Sequence, residues 1–302
     1  MKHVEVMLVG SANMDLVVRA TRFPLPGETL QGSGFQRFPG GKGANQATAA
    51  GKLGANVGIL TKLGADPFGD ELVASLSSAG VLTDWVLRDP AVSTGVALIT
   101  VDDAGQNTIV VSPGTNALLV PSEVETAFRE LSAKVVLAQL EIPLETVIAA
   151  SKLGSDAIFI LNPAPARHLP DDLLATVDYL TPNETEAEEL TAILPSDDAS
   201  CLACARILFD KGVKNVLFTL GARGSFLATT KYGRHFPTIP VKPIDTTGAG
   251  DAFNGAFAHF LASGEDIERA IHLANITGAL STTRAGAQAS MPSLIEVMAV
   301  AD

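Results

Sequence analysis

The sequence predicts an α/β fold: a doubly wound, mostly parallel sheet flanked by helices, with a small β-sheet lid. Three observations predict it. Short strand-type runs, apolar on both faces, alternate with helical patterns, which is the signature of a parallel sheet covered on both sides. Glycine-rich or polar loops follow several of the strands, where open α/β sheets place their ligands. Two stretches, at about 15–38 and 94–112, fit no helix and interrupt the alternation.

The first strand is Val6-Met7-Leu8-Val9, and further strands are expected at 57–60, 135–137, 157–161 and 216–220. Helical periodicity covers 43–53, 68–79, 122–131, 144–153, 184–193 and 199–210. The last sixty or so residues change character and predict helices at 249–263, 267–283 and after Pro292. Residues 94–111 read as a hairpin with a polar turn from Asp102 to Asn107. Both interrupting stretches read as antiparallel β pieces. Because 96–101 is apolar in both phases apart from Thr100, this small sheet must be covered on each face, one by ligand and the other by a second subunit. No linker or low-complexity run breaks the chain, so residues 1–302 are expected to form one domain, with the lid inserted.

Charge excludes several functions. The 302 residues carry 33 acidic against 21 basic side chains, a net charge of −12, with no basic cluster. That disfavours nucleic-acid binding and a polybasic membrane anchor. No apolar run reaches the roughly 20 residues of a membrane span. The apolar start is broken by Glu5 and lacks a small-residue cleavage site, so a cytoplasmic protein is expected. Cys201 and Cys204, in a helical pattern without a second Cys or His pair, read as two buried thiols rather than a metal or redox site.

Five motifs carry chemistry. In Asp245-Thr246-Thr247-Gly248-Ala249-Gly250-Asp251, a glycine turn opens a helix whose free amides suit an anion. Asp251 either complements the helix dipole or accepts a proton from a hydroxyl that attacks a phosphoryl group held there. Gly40-Gly41-Lys42-Gly43-Ala44-Asn45 either packs a helix tightly on a strand or lets a polyhydroxylated ligand approach, and its spacing is not that of a Walker loop. Asn13 and Asp15 follow the first strand as a donor–acceptor pair for hydroxyls or as an Asx turn, and a dinucleotide fingerprint is missing there. Asn183 and Glu186 fit a helix capping box and also a water shell around Mg²⁺. Thr219 to Gly224 forms a glycine turn suited to a nucleotide.

In this order and spacing the motifs resemble the ribokinase, or PfkB, family of carbohydrate kinases over nearly the whole chain, with Gly40–Asn45 and Asp245–Asp251 the most specific stretches. The resemblance implies ATP-dependent phosphorylation of D-ribose at its 5-hydroxyl by a homodimer joined through its lid sheets. It implies Asp251 as base, with the amides of Gly248, Ala249 and Gly250 as anion hole. Asn13, Asp15, Gly40, Gly41, Lys42, Asn45 and Glu141 would bind sugar. Asn183 and Glu186 would organise Mg²⁺ and phosphate. Thr219, Gly221, Arg223, Gly224, Gly250 and Asn275 would contact ATP. A monovalent cation, K⁺, would take Asp245, carbonyls near Thr247, Ser281, Arg284 and Gly286, and Ser290. Kinases for deoxyribose, fructose, pseudouridine or another nucleoside stay open, as does a catalytically silent sugar-binding regulator.

Overall fold

The computed structural model describes residues 2–154 and 156–301. The chain starts in β1 (Lys2–Val9) and enters a small sheet through β2 (Asn13–Arg19) and β3 (Ser33–Gly40). It returns through α1 (Lys42–Lys52), β4 (Val57–Gly64), α2 (Pro67–Ser78) and β5 (Val86–Asp89). It revisits the small sheet as β6 (Gly95–Val101) and β7 (Asn107–Ser112), then passes a 3₁₀ turn (Gly114–Leu118). There follow α3 (Pro121–Glu130), β8 (Leu131–Ala138), α4 (Leu144–Leu153), β9 (Ile158–Leu161), α5 (Asp171–Leu174) and β10 (Tyr179–Leu180). Next come α6 (Glu184–Thr191), α7 (Asp198–Asp210), β11 (Asn215–Thr219), β12 (Ser225–Thr229) and β13 (Gly233–Phe236). Helices α8 (Ala249–Ala262), α9 (Ile267–Ser281), α10 (Ala287–Ser290) and α11 (Leu294–Ala301) close the described chain.

Among the described residues the large sheet runs β13-β12-β11-β10-β9-β8-β1-β4-β5, parallel except for the β11–β12–β13 edge. The expected doubly wound sheet is present, and its faces explain why the strands read as unbroken apolar runs. In β1, Val6 and Leu8 enter one core cluster while Met7 and Val9 enter the other. All four are fully buried, each contributing about 1.5–3 kcal/mol on burial. Helix starts follow local chemistry. Asp66 caps α2 through the Gly69 amide and also accepts from the Thr94 amide at 2.8 Å, tying that helix to the start of β6. Cys201 and Cys204 are buried, unpaired thiols in α7, and desolvation pushes Cys201 up to about 12.

The small sheet, ordered β3-β2-β6-β7, corrects one expectation. Its two hairpin-like pairs are antiparallel, but β2 and β6 join them in parallel, Asn13 opposite Gly95 and Asp15 opposite Ala97. The reason lies below it. β2 leaves the carboxyl end of β1 and β6 follows β5, which runs parallel to β1 in the large sheet. Both therefore depart from the same edge in the same direction.

Helix α8 lies against α1 because of one glycine. A Cβ on Gly255 would stand 2.3 Å from the Gln46 carbonyl oxygen, on the helix face that also carries Asp251, four residues earlier. Gly255→Ala is expected to force the helices apart and cost about 1–3 kcal/mol through overpacking, despite better helix propensity. A thermal melt tests this, and an unchanged melting temperature would refute the contact.

Candidate active site

A cavity of about 740 Å³ opens at the carboxyl ends of β9, β10 and β11 and runs along the start of α8. Asp251 and Asn275 both line it. Asp251 is 7% exposed and accepts from Asn45 Nδ2 at 2.9 Å and from Gln46 Nε2 at 3.0 Å. The first turn of α8 starts from Gly248, which is left-handed at φ 77°. Asn254 braces that turn, donating to the Gly250 carbonyl at 2.8 Å and accepting from the Thr181 hydroxyl.

The expected anion hole needs one correction. The Ala249 amide is already engaged with the Thr246 carbonyl at 3.2 Å, closing a turn. Ala252 bonds normally to Gly248. The amides of Gly248, Gly250 and Asp251, all three residues lining the cavity, are the donors that the helix start leaves over. Gly250 keeps that spot open, since a Cβ there would meet nothing within 4 Å.

On the lid side of Asp251 the predicted polar residues converge. Asn13 and Asp15 are not an Asx turn; they lie in β2 with strand spacing, on one face. Gly40 leaves room for Asp15, whose carboxylate oxygen would lie 2.4 Å from a Cβ. Gly41, at φ 87°, packs on the Ala12 backbone and Gly43 on Ser11, so the tight-packing role of the glycine motif is also real. Glu141 accepts from the Lys42 amide at 2.9 Å and from the Ser11 hydroxyl. Desolvation, with the charges of Glu141 and Asp251, pushes Asp15 up to about 7. Burial alone would lower Lys42, but Asp251, Glu141 and Glu186 outweigh it and raise it.

This crowding has a measurable signature. The unfolded chain ionises Asp15 near pH 4, the folded chain only near 7. Folding therefore takes up a proton between these values, and stability falls as the pH rises through that window. Asp15→Asn is expected to raise the melting temperature at pH 8 and to match the parent below pH 4. A parent-like melt at pH 8 would contradict it.

A hinge forms where the lid meets the body. Asn116, in the 3₁₀ turn after β7, donates to Asn13 Oδ1 at 2.7 Å and exchanges hydrogen bonds with the Ala12 backbone. Gly95 leaves the space for both, since its Cβ would lie 2.2 Å from Asn13 Oδ1.

On the other arm, Asn183 and Glu186 form the capping box, each oxygen of Glu186 accepting from Asn183 at 2.9 Å. Both still line the cavity, and burial raises Glu186 above the usual carboxylate range. Each bonded oxygen keeps a lone pair, so this set suits the water shell of a hard divalent cation. Thr219, Gly221 and Gly224 line the cavity, with Ile239, Val241 and Ala279 as apolar walls. Arg223 does not line it: its guanidinium is held by Ser196 and Pro195 carbonyls and Glu184, anchoring the turn from behind. Asn275 lines the cavity, but its amide donates to Ser225 and the Phe236 carbonyl, bracing α9 against the sheet edge.

Asp245 accepts from the amides of Thr247 and Gly286, both at 2.9 Å, tying the loop before α8 to the one before α10. Burial opposes its charge, yet these bonds and the Thr247 hydroxyl hold it below the usual range. The Ser281 and Ser290 hydroxyls donate to the Gly278 and Ala287 carbonyls and keep their oxygen lone pairs, and the Arg284 side chain pairs with Glu296. What Arg284 and Gly286 can offer is carbonyl oxygen, an all-oxygen donor set suited to a hard monovalent cation. Motif reading passed over Ser11, Gln46, Asn116, Gln139, Asn162 and Asn254. Ser11, Gln46, Gln139 and Asn254 each stand within three residues of a named candidate, whereas Asn116 and Asn162 stand apart and only the fold brings them in.

Fold and site define an α/β phosphotransferase with a buried aspartate, Asp251, at a helix start. The chain belongs to the pfkB family of carbohydrate kinases, whose model matches residues 4–294. It is 39% identical over 298 residues to a ribokinase of Staphylococcus aureus (strain COL), covering 97% of this chain and 98% of the relative. It is also 39% identical over 295 residues to a deoxyribokinase of Salmonella typhi, covering 96% of each. A bifunctional ribokinase/ribose-5-phosphate isomerase A of Fructilactobacillus sanfranciscensis is 42% identical, with 96% of this chain spanning 54% of that longer protein. The solved structure of Arabidopsis thaliana ribokinase complexed with ribose and ATP superposes with a TM-score of 0.93 at 32% identity, covering 100% of this chain and 99% of that one. Among the described residues no helix is long and apolar enough to cross a membrane.

Proposed function

We propose that the protein transfers the terminal phosphoryl group of ATP to the 5-hydroxyl of D-ribose, giving D-ribose 5-phosphate and ADP. The observation that carries this is the position of Asp251. It stands where the cavity meets the cluster of Asn13, Asp15, Asn45 and Glu141, and it is hydrogen-bonded to Asn45. In this reading the cluster holds the ribose hydroxyls and Asp251 takes the proton of the 5-hydroxyl. The new O–P bond forms as the bond to the ADP oxygen breaks, and the proton passes to the Asp251 carboxylate. The amides of Gly250 and Asp251 and the charge of Lys42 face the charge that develops on the phosphoryl oxygens. Thr219, Gly221 and Gly224 hold the nucleotide, with its base between the apolar walls near Asn275.

Asn183 and Glu186 would hold Mg²⁺ through water, and the bound ion neutralises phosphate charge. K⁺ at Asp245 and the neighbouring carbonyls would stiffen the loops on either side of the α8 start. The chain reads as one kinase unit with the small sheet as its lid. Leu98 and Val110 on one face, and Ile109 and Val111 on the other, are more than half exposed. The face bearing Asp15 closes on sugar, and the opposite face is covered by a second copy. Light scattering at micromolar concentration is expected to give a dimer, and a monomer counts against it.

ADP release across D-ribose, 2-deoxy-D-ribose, D-fructose and nucleosides, with and without K⁺, tests the reading. D-ribose is expected to give the highest kcat/KM. The deoxyribokinase relative supports deoxyribose as the second reading, and a higher kcat/KM for deoxyribose would replace ribose by it.

A further inference from the structure

Beside Asp251 lies a row of buried amides, of which Asn162 also lines the cavity. Gln46 is fully buried on α1, and its Nε2 stands 3.0 Å from Asp251 Oδ1 and 3.1 Å from Asn162 Oδ1. Asn162, just after β9, donates its own Nδ2 to the Thr181 carbonyl at 3.3 Å. A carbonyl only accepts, so this bond fixes which end of the Asn162 amide faces Gln46. Its oxygen must face Gln46, and Gln46 must answer with its NH₂ group. On the other side, Gln139 Nε2 donates to Gln46 Oε1, consistent with the orientation that Asn162 sets. Gln139 is fully buried and lies over Gly10, where a Cβ would collide with its Oε1 at 2.1 Å.

We propose that Gln46 is a positioning residue for phosphoryl transfer: oriented by Asn162 and Gln139, it donates to Asp251 Oδ1 and holds the carboxylate ready to take the acceptor proton. This rests on the reading of Asp251 as the base. The geometry offers Asp251 a donor at each oxygen. Asn45 meets Oδ2 from the sugar side and Gln46 meets Oδ1 from the buried side. A proton on Oδ1 would point at an NH₂ group that cannot reverse without turning its oxygen toward both Asp251 and Asn162. The same contact fixes the carboxylate's rotation, and Gly255 sets its reach by letting α8 approach the Gln46 carbonyl. The charged groups around Asp251 are Lys42 of α1, Asp15 of β2, Glu141 after β8 and Glu186 of α6. All of them remain in the variants below, and only Gln46→Glu adds a charge of its own, so a change of pH behaviour in the methionine variants reports the amide row.

The test uses the full chain in the ADP-release assay, with parent and Asp251→Asn run alongside. Gln46→Met keeps the length and removes the donor. It is expected to lower kcat about 10–100-fold with KM for sugar changed less than about threefold, since Gln46 acts on the base. Gln46→Glu sets a carboxylate against Asp251 and is expected to move the acidic limb of the kcat profile up by about one pH unit or more. Gln139→Met, which acts through Gln46, is expected to lower kcat about 3–10-fold alone and to add nothing to Gln46→Met. Should Gln46→Met fail to fold, the Gln46→Glu profile and Gln139→Met decide. Parent-like kcat and profile in these variants would overturn the proposal. So would losses shared equally by kcat, KM and melting temperature with the acidic limb unmoved, which would make Gln46 a packing residue. An inactive parent, or an active Asp251→Asn, would instead defeat the assignment of the base.

Discussion

Asp251→Asn is expected to cut kcat by about 10²–10⁴-fold while D-ribose still binds. The amide is nearly the same size, so the start of α8 and the Gly255 contact with α1 should survive. What changes is chemistry at two points. The acceptor hydroxyl loses the group that takes its proton, and the new NH₂ must face either Asn45 or Gln46, both of which donate here. The mismatch is eased most readily on the Asn45 side, toward the cavity. One negative charge also leaves the cluster that raises Asp15, so the variant should melt no lower than the parent at pH 8. Calorimetric titration with D-ribose and the ADP-release assay separate the two effects. Near-parent turnover would remove Asp251 from the chemistry, and lost sugar binding would make it a contact first and a base second.

Gly250→Ala should leave the fold intact and slow the reaction about 100-fold. Gly250 has no positive φ, and a Cβ there meets nothing within 4 Å. Alanine is the better helix former, by up to about 1 kcal/mol, so the melting temperature should hold or rise. The methyl nevertheless enters the space beside the free amides of the α8 start, and a phosphoryl group displaced by about 1 Å there costs about 100-fold in kcat/KM. Its neighbour Gly255 gives the contrast. There alanine strikes the Gln46 carbonyl and stability itself falls. One glycine leaves room for the protein and the other for its substrate. Parent-like kinetics for Gly250→Ala would show that the anion does not lie against the start of α8.

Much of this molecule is readable before any coordinates. Strands buried on both faces announce themselves, as β1 does through Val6 to Val9, and so do helices of ten or more residues. Some short elements escape. β5 and β13 have four residues each and lack the unbroken apolar run that marks the equally short β9. The parallel join of β2 to β6 escapes because partners such as Asn13 and Gly95 are far apart in sequence. Motif logic brought Asp251, Asn45, Asp15 and Glu141 to one place. It misjudged Arg223, because a guanidinium beside a glycine turn suggests phosphate until Ser196, Pro195 and Glu184 are seen to occupy it. It passed over Gln139 and Asn162, whose importance comes only from standing next to Gln46.

The stitch between Asn13, Gly95 and Asn116 has a mechanical consequence. The chain enters the small sheet at β2 and β6 and leaves it after β3 and β7, and three of these four crossings, at Asn13, Gly95 and Asn116, meet at that cluster, with Gly40 paired opposite Asn13. The sheet is bound like a page along a spine. A swing of the sheet carries the far margin, with its 102–106 turn, through the longest arc, while the residues at the binding edge barely travel. In the proposed reading Asn13 would therefore keep hold of the sugar while the page is still open, and the outer margin could be lengthened or rewritten without loosening the spine.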